Sequence, residues 1–258
     1  MGSQGKTEFL SNLPNVGLSI SAGDYKGVDN IGKFGHNADV DSAAAEDVWS
    51  VGGVYSYLPT ATILYASSGS SGDTNEMKVF ALDGNYVDHE VSVTLAGTAA
   101  VQIGSAGSTW LRPYRAFNNG ATENGGDVYI ATTTAQTTGI PAAGEIMAKI
   151  DQVDQQTAMA IYTIPAGKTG YITTYYASIN KTGGAAVAAS VTLKTREVDK
   201  CFRVRRIDGM AKDGTSHYKH DFTMPIKIPE KTDIKMNADV SADNTDVSAG
   251  FDIILVDN

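Results

Sequence analysis

The sequence predicts an all-β protein with two antiparallel β-sandwich domains in tandem, both jelly-roll-like, preceded by an extended N-terminal arm. Short runs rich in β-branched and aromatic residues are separated by clusters of glycine. Several runs alternate apolar and polar residues with period 2, and no segment carries a sustained apolar stripe of helical period. A corner made of an apolar residue, a proline, a short polar turn and a new strand recurs at Leu58–Ile63, Ala160–Ile172 and Ile228–Ile234. Such corners pass a chain from one sheet to the next.

The composition is that of a folded protein, because 42% of the 258 residues are hydrophobic and 19% are charged. Twenty basic and 29 acidic side chains give a net charge of −9, which disfavours nucleic acids and anionic membranes as partners. The single cysteine, Cys201, excludes an internal disulfide framework and a cysteine metal cluster. Residues 1–20 contain no apolar run of signal-peptide length, and no stretch is long enough to span a membrane. We therefore expect no membrane partner.

Residues 1–46 are predicted to form the extended arm, because they are rich in Gly, Ser, Asn and Asp and have no sustained period. One short strand is predicted within the arm, at Val16–Ile20. A neighbouring subunit is a natural contact for a polar arm of this kind.

Residues 47–132 are predicted to form the first β-sandwich. Its clearest strand is His89–Leu95, where His89 and three apolar residues alternate with polar ones. The other strands predicted here are Val48–Val54, Ala61–Ala66, Met77–Leu82, Val101–Ile103, Trp110–Phe117 and Val128–Thr132. Residues 133–155 are predicted to be a linker, in which Ala143–Gln155 fits either a short helix or a further strand.

Residues 156–258 are predicted to form the second, jelly-roll-like β-sandwich. The alternating runs are Ala185–Lys194, Phe202–Arg205, Asp233–Val240 and Val247–Leu255. Period 2 with one apolar face is what a half-buried antiparallel strand requires. About eight strands in roughly 100 residues suit a jelly roll. At the middle corner we expect Pro165 to lie at a strand end, with Tyr162 and Ile164 on one face.

No catalytic or cofactor-binding residue is predicted. Gly167-Lys168-Thr169 resembles the end of a phosphate-binding loop, but Tyr162 stands where that motif needs its first glycine, so a polar turn is predicted. The Gly-x-Ser-x-Gly elbow of hydrolases does not occur. Cys201 has arginines nearby but no adjacent histidine, so a structural or incidental role is predicted.

No metal ligand is predicted either. His217 and His220 fall on opposite faces of a predicted strand, and His89 is expected to be a hydrogen-bonded core or edge histidine. Two acidic stretches have the oxygen ligands that calcium prefers, but they lack the glycine and spacing of an EF-hand loop. These are Asp39, Asp41, Glu46 and Asp47, and Asp239, Asp243, Asn244 and Asp246. We predict that both are solvated turns.

The densest positive charge lies in Lys200–Arg206, which is predicted to be a strand. In a chain of net charge −9 this strand is expected to pair with acidic residues within the fold or across a subunit interface, rather than to bind nucleic acid.

An ordered series of motifs resembles a known family. The motifs are Phe34–Asp41, Glu46–Trp49, Gly52–Tyr55, Leu82–Tyr86, Val91–Leu95, Leu111–Ala116 and Ala160–Thr169. Their order and spacing are similar to those of virion structural proteins of tailed, often marine, bacteriophages. The resemblance covers residues 34–172 well and the rest loosely. Ala96-Gly97 stands where that family usually has Asn-Gly, which alters one turn.

The resemblance implies a non-enzymatic structural protein located in the virion. The role expected is a capsid-exterior decoration, cement or vertex protein that associates with itself as a homotrimer and with the major capsid protein or other virion proteins. No cofactor is expected.

Two alternatives stay open. One is a tail component, which would be an adaptor, a baseplate piece or a jelly-roll receptor-binding protein whose tyrosines Tyr162, Tyr171, Tyr175 and Tyr176 stack on sugars. The other is a carbohydrate-active enzyme, which would need a pair of carboxylates at a suitable separation.

Overall fold

The computed structural model describes residues 16–180, 186–211 and 216–258. Strands account for 56% of the structure and helices for 4%, so the all-β prediction is confirmed. The one α-helix in the described residues is α1 (Val16–Ser21), and a single 3₁₀ turn spans Ala143–Glu145.

Eighteen strands follow one another in the described part of the chain. They are β1 (Val28–Val40), β2 (Glu46–Asp47), β3 (Tyr65–Ser68), β4 (Glu76–Leu82), β5 (Asp88–Thr94), β6 (Val101–Gln102), β7 (Arg112–Asn118), β8 (Val128–Ala131), β9 (Gln136–Thr137), β10 (Ile140–Pro141), β11 (Ile146–Ile150), β12 (Ile161–Thr163), β13 (Lys168–Asn180), β14 (Ala188–Arg196), β15 (Arg203–Ala211), β16 (His217–Ile228), β17 (Asp233–Val240) and β18 (Thr245–Asp257).

Two antiparallel sheets form the main unit of the molecule. Sheet I has the strand order β1-β18-β13-β16, and sheet II has the order β12-β17-β14-β15. The short strand β2 pairs with the same edge of β17 as β12 does. Alternating residues of both sheets, such as Val191, Leu193, Met236 and Phe251, share one buried core. Burial of this shared apolar surface holds the two sheets together.

Two further sheets form a second unit, which is inserted into the main one. Sheet III has the order β11-β8-β3-β6 and sheet IV the order β5-β4-β7. Their core includes Leu64, Met77, Ile103, Ile130 and Met147. In the chain this inserted unit lies between β2 and β12, and both of those strands belong to sheet II. The two units are therefore nested, which differs from the predicted tandem order.

The predicted arm needs correction. Residues 28–40 are not an extension outside the fold, because β1 pairs along its length with β18, from Val28 opposite Val256 to Val40 opposite Thr245. The sequence of β1 is rich in glycine and asparagine, which have low β propensity, so the pattern did not predict a strand. The strand forms because β propensity depends on the pairing partner more than on the segment itself. Val16–Ile20, predicted as a strand, lies in helix α1, where Val16 and Ile20 share the buried face at a spacing of four. Residues 1–15 lie outside the described part.

The predicted linker 133–155 is also wrong. Residues 136–141 form the small hairpin β9–β10. Residues 143–155 contain both of the predicted alternatives, because a short 3₁₀ helix is followed directly by strand β11. Strand β11 pairs with β8 and contributes Met147 and Ile150 to the inserted core. The predicted boundaries at residues 47, 132 and 156 therefore do not separate the two units.

The middle proline corner is confirmed. Pro165 follows the end of β12, and the chain then enters β13 in the other sheet. Tyr162 and Ile164 both lie in the main core. The corner at Ile228–Ile234 likewise carries the chain from β16 in sheet I to β17 in sheet II. Proline at these positions ends one strand without removing a hydrogen bond from the middle of a sheet.

Candidate functional site

The phosphate-loop-like segment and the single cysteine do not form a site. Gly167 ends a turn and Lys168 and Thr169 begin β13, so the predicted turn covers only part of this segment. The Gly167 amide donates to Glu230 Oε2 at 2.6 Å, and Lys168 pairs with Asp257 at 2.7 Å. Because the Gly167 amide already donates a hydrogen bond to a carboxylate, it is not available to bind a phosphate group. Cys201 is free and exposed.

The four tyrosines proposed for sugar stacking do not share a surface. Tyr162 and Tyr175 are fully buried in the main core, whereas Tyr171 and Tyr176 are partly exposed. The hydroxyl group of Tyr175 donates to Asp208 on the neighbouring sheet. A sugar platform that needs all four rings is therefore ruled out by this arrangement.

The two acidic stretches lie next to each other at one end of the main unit. Ser42 donates to Asp243 Oδ1 from both its amide and its hydroxyl, at 2.8 and 2.6 Å, and His36 Nε2 lies 2.8 Å from Asp246 Oδ1. Glu46 accepts from the Gly53 amide at 2.6 Å. Within the described ranges, no group of three or more His, Cys, Asp or Glu residues is placed to hold a metal ion.

The histidines have ordinary environments. His89 lies on β5, an outer strand of sheet IV, and its Nε2 lies 3.2 Å from Asp83 Oδ2, as expected for a hydrogen-bonded edge histidine. His217 and His220 lie on β16, and odd and even positions of a strand point to opposite faces.

One surface does combine the features of an interface, and we call it the exposed edge. It consists of β15 and β16, each of which is the last strand of its sheet. The two strands meet where Arg206 Nη2 donates to the Tyr218 hydroxyl at 2.6 Å. Long edge strands present unpaired backbone groups, and proteins usually protect such strands or use them for pairing.

The exposed edge is basic in an acidic protein. The two strands contain five Lys or Arg and two Asp, so their formal charge is +3. Because the whole chain has a net charge of −9, the residues outside these two strands have a net charge of −12. Arg203 pairs with Glu197 at 2.5 Å and Arg206 with Asp208 at 3.0 Å. The expectation that the Lys200–Arg206 segment pairs with acidic groups within the fold is thus confirmed for these two arginines.

Apolar side chains are also exposed on this edge. Val204 and Ile207 on β15 are 51% and 57% exposed, and Met224 on β16 is 83% exposed. The strand pairing shifts beside Val204, because Leu193 faces Arg206 while the next residue, Lys194, faces Val204. This bulge turns Val204 outward, so it does not share a buried face with Phe202 as the alternation predicts.

Met224 protrudes because β16 carries a wide bulge. Ile226 pairs with Ile172, and Asp221 pairs with Thr174, so four residues of β16 oppose a single residue of β13. Pro225 lies in this bulge and, having no N–H, is the signal in the sequence that identifies an edge strand. The sequence gives no comparable signal for Ile207.

A second cluster, which we call the polar junction, lies where the inserted unit meets the outer face of sheet II. Its members are Asp47, Arg112, Lys194, Arg196, Asp233, Lys235 and Asn237. Asp233 accepts from Arg112 and Arg196, and Asp47 pairs with Lys235 at 2.7 Å. Burial alone would lower the pKa of Arg112, but the neighbouring Asp233 more than reverses this, so the Arg112 pKa is raised.

The aromatic ring of Tyr57 contacts two of these cations. The guanidinium carbons of Arg112 and Arg196 are 5.0 and 4.4 Å from the ring centroid. Arg196 also lies 4.6 Å from the centroid of Phe202, whose ring is 5.3 Å from that of Tyr57. Burial raises the pKa of Tyr57, so its ring remains neutral beside Asp233. These contacts fix the loop that precedes β3 onto sheet II.

No protein-family model matches the chain, and no curated protein is found to be similar to it. None of the helices in the described residues has the length and apolar character that crossing a membrane requires.

Proposed function

We propose that this chain is a structural protein of a tailed bacteriophage particle, acting by subunit association as a capsid-exterior decoration, cement or vertex protein. The ordered motifs between residues 34 and 172 support this proposal through their resemblance to virion proteins. Its partners would be further copies of itself, as a homotrimer, and the major capsid protein.

The arrangement of the main unit is consistent with this role. Apart from the two-residue strand β2, the main unit has eight strands in two sheets, ordered β1-β18-β13-β16 and β12-β17-β14-β15, and this order supports a jelly-roll assignment. Six connections run from β12 to β18, and only the one between β14 and β15 stays in one sheet. Jelly rolls are frequent in viral capsids, although a fold by itself does not fix a function.

The exposed edge is the observation that carries the proposal of self-association. The exposed apolar side chains of Val204, Ile207 and Met224 lie on strands that also carry Arg203, Arg205 and other polar residues, and subunit interfaces likewise combine apolar and polar groups. The edge is positive and the rest of the chain is negative, so an acidic surface of a second copy complements it. A contact between two different patches closes into a ring when the rotation permits.

Light scattering during gel filtration tests this proposal. We expect the wild-type protein to be a trimer, and the double variant Ile207→Glu/Met224→Glu to be a monomer with an unchanged circular dichroism spectrum. Val153→Glu is the matched control, because Val153 is 90% exposed but lies in the inserted unit. A monomeric wild type, or a double variant that remains trimeric, would show that the exposed edge is not the subunit interface.

A tail component would use the same association, so the particle itself must distinguish the two roles. We expect the purified protein to bind capsids in hundreds of copies, and electron microscopy of decorated particles measures this. Binding confined to tails or to a dozen or fewer sites would favour the tail role.

A further inference from the structure

Four side chains of the polar junction form a compact group on the outer face of sheet II. They come from three adjacent strands: Asp47 from β2, Lys194 from β14, and Lys235 and Asn237 from β17. Asp47 and Asn237 are buried, and Lys194 is partly buried. An amide bond between two side chains needs a lysine amine, an asparagine carboxamide and a carboxylate that carries the proton. All three groups are present in this site.

The distances place these groups in reacting order. Lys194 Nζ donates to Asn237 Oδ1 at 3.0 Å, so the amine is in contact with the carboxamide group that it would attack. Asn237 Nδ2, the leaving nitrogen, donates to Asp47 Oδ1 at 3.2 Å. Groups held in contact in a fixed geometry gain a large effective concentration for a reaction between them.

Asp47 is held firmly by other contacts. Its Oδ2 accepts from the Tyr55 amide at 2.9 Å, and Lys235 Nζ lies 2.7 Å from its Oδ1. Lys235 in turn lies 4.7 Å from the ring centroid of Phe202, which covers this side of the group. Lys235 therefore orients the carboxylate, whereas Lys194 approaches the amide.

The geometry points to an isopeptide bond between Lys194 and Asn237, formed without any other enzyme. The neutral amine of Lys194, after its proton has passed to water, attacks Cγ of Asn237. Asp47 accepts a proton from the attacking nitrogen and delivers it to Nδ2. The bond between Cγ and Nδ2 then breaks and ammonia leaves. One C–N bond replaces another, so no oxidant or reductant is required, and Asp47 ends unchanged.

Such a bond would join two neighbouring strands of sheet II covalently. Strands β14 and β17 are paired along their whole shared length, and Lys194 is diagonally opposite Asn237 in that pairing. The link would prevent β14 and β17 from separating under force. This inference does not depend on the proposed role in a virion.

Intact mass spectrometry of the purified protein tests the inference directly. After incubation in mildly alkaline buffer, which favours the neutral amine, we expect a mass below that of the sequence by one ammonia. Tryptic digestion should yield one branched peptide that contains Lys194 and Asn237, with no cleavage after Lys194. A mass equal to that of the sequence, with complete cleavage after Lys194, would overturn the inference.

Two variants separate this bond from other losses of ammonia. Lys194→Arg retains the positive charge but cannot form the bond, so its mass should equal that of its sequence. Asn237→Asp should instead lose water when the bond forms. If Lys194→Arg still loses ammonia, the reaction belongs to another residue, such as cyclisation of Asn119 or Asn124 before glycine. A branched peptide that contains Lys235 instead of Lys194 would also contradict the assignment.

Discussion

Arg112 and Asp233 form a buried ion pair that joins the two units of the molecule. Arg112 Nε, on β7 of the inserted unit, lies 3.1 Å from Asp233 Oδ1 on β17 of the main unit. Both side chains are only 7% exposed. Thr163 donates to the same carboxylate at 2.6 Å, and Arg196 approaches it from the neighbouring strand at 2.5 Å. The inserted unit is thus anchored by a charge that the main unit itself holds in place.

Removing Arg112 should destabilise the whole chain. In Arg112→Leu, Asp233 loses one of its two cations, and the partly buried Leu58 carbonyl loses the donor that lies 2.7 Å away. Breaking a buried ion pair costs roughly 3–5 kcal/mol, and we expect about 3 kcal/mol because Arg196 remains. Urea unfolding followed by tryptophan fluorescence measures the loss, since Trp49 and Trp110 both lie in the inserted core.

The matched control for this prediction is an ion pair at the surface. Lys78 lies 2.8 Å from Glu90, whose side chain is 51% exposed. Lys78→Ala should change the free energy of unfolding by less than about 1 kcal/mol. Equal effects of Arg112→Leu and Lys78→Ala would mean that the junction does not hold the units together.

A glycine lies where β1 packs closely against the chain beside sheet II. A Cβ atom added at Gly35 would lie 2.1 Å from the Val48 carbonyl oxygen and 2.3 Å from the Ala160 amide nitrogen. Both are backbone atoms, so Gly35→Ala must push strands apart, and we expect a loss of more than about 3 kcal/mol. Gly209→Ala is the control, because nothing lies within 4 Å of its added Cβ. Thermal unfolding of both variants compares them, and a stable Gly35→Ala would contradict this packing.

A buried lysine makes the stability of the protein depend on pH. Lys33 is buried, and its Nζ donates to the Tyr114 carbonyl oxygen. Burial, and then the charge of Arg115, lower the pKa of Lys33 well below its ordinary value. The unfolded chain keeps this proton up to the reference pKa of about 10.4. Between the two pKa values the unfolded state binds more protons, so the stability contributed by this group rises with pH.

The variant Lys33→Met lacks this titration. We therefore expect the wild-type protein to gain stability relative to Lys33→Met as the pH rises from about 7 to about 10, the region below the lysine reference value. Urea unfolding at several pH values measures the difference between the two proteins, in which contributions from other groups cancel. A difference that is independent of pH would show that Lys33 titrates equally in the folded and unfolded states.

The sequence predicts what local pattern controls and misses what distant pairing controls. Pro165, Tyr162 and Ile164 lie as predicted, because a proline corner and an alternating strand are local features. Strand β1 was missed because it is formed by pairing with β18, more than 200 residues away in the chain. Its own residues include Gly32, Gly35 and Asn37, which have low β propensity.

The polar junction was missed for a related reason. The alternation in β17 predicts one buried and one solvated face, yet Asp233, Lys235 and Asn237 are buried as well. The inserted unit covers their face, and the partner Arg112 lies 121 residues from Asp233 in the chain. A sequence pattern of period 2 shows which face is apolar, but it cannot show that another unit covers the polar one.

Two tyrosines in contact give opposite predictions for the same substitution. The rings of Tyr114 and Tyr162 meet edge to face, with centroids 5.1 Å apart. The Tyr114 hydroxyl donates to Asp88, with oxygen–oxygen distances of 2.9 and 2.8 Å, whereas the buried Tyr162 hydroxyl has no hydrogen-bond partner among the described residues. Burial raises the pKa of both phenols, so both stay neutral at physiological pH.

Tyr162→Phe should therefore leave the protein as stable as wild type or more stable, by up to about 1 kcal/mol, because it removes a buried hydroxyl that makes no hydrogen bond. Tyr114→Phe should cost about 1.5–3 kcal/mol, because it removes a hydrogen bond to a carboxylate. The two variants remove the same atom from neighbouring rings, so each is the control for the other. Urea unfolding ranks them, and a Tyr162→Phe protein that is the less stable of the two would mean that the Tyr162 hydroxyl has a partner, such as a buried water molecule.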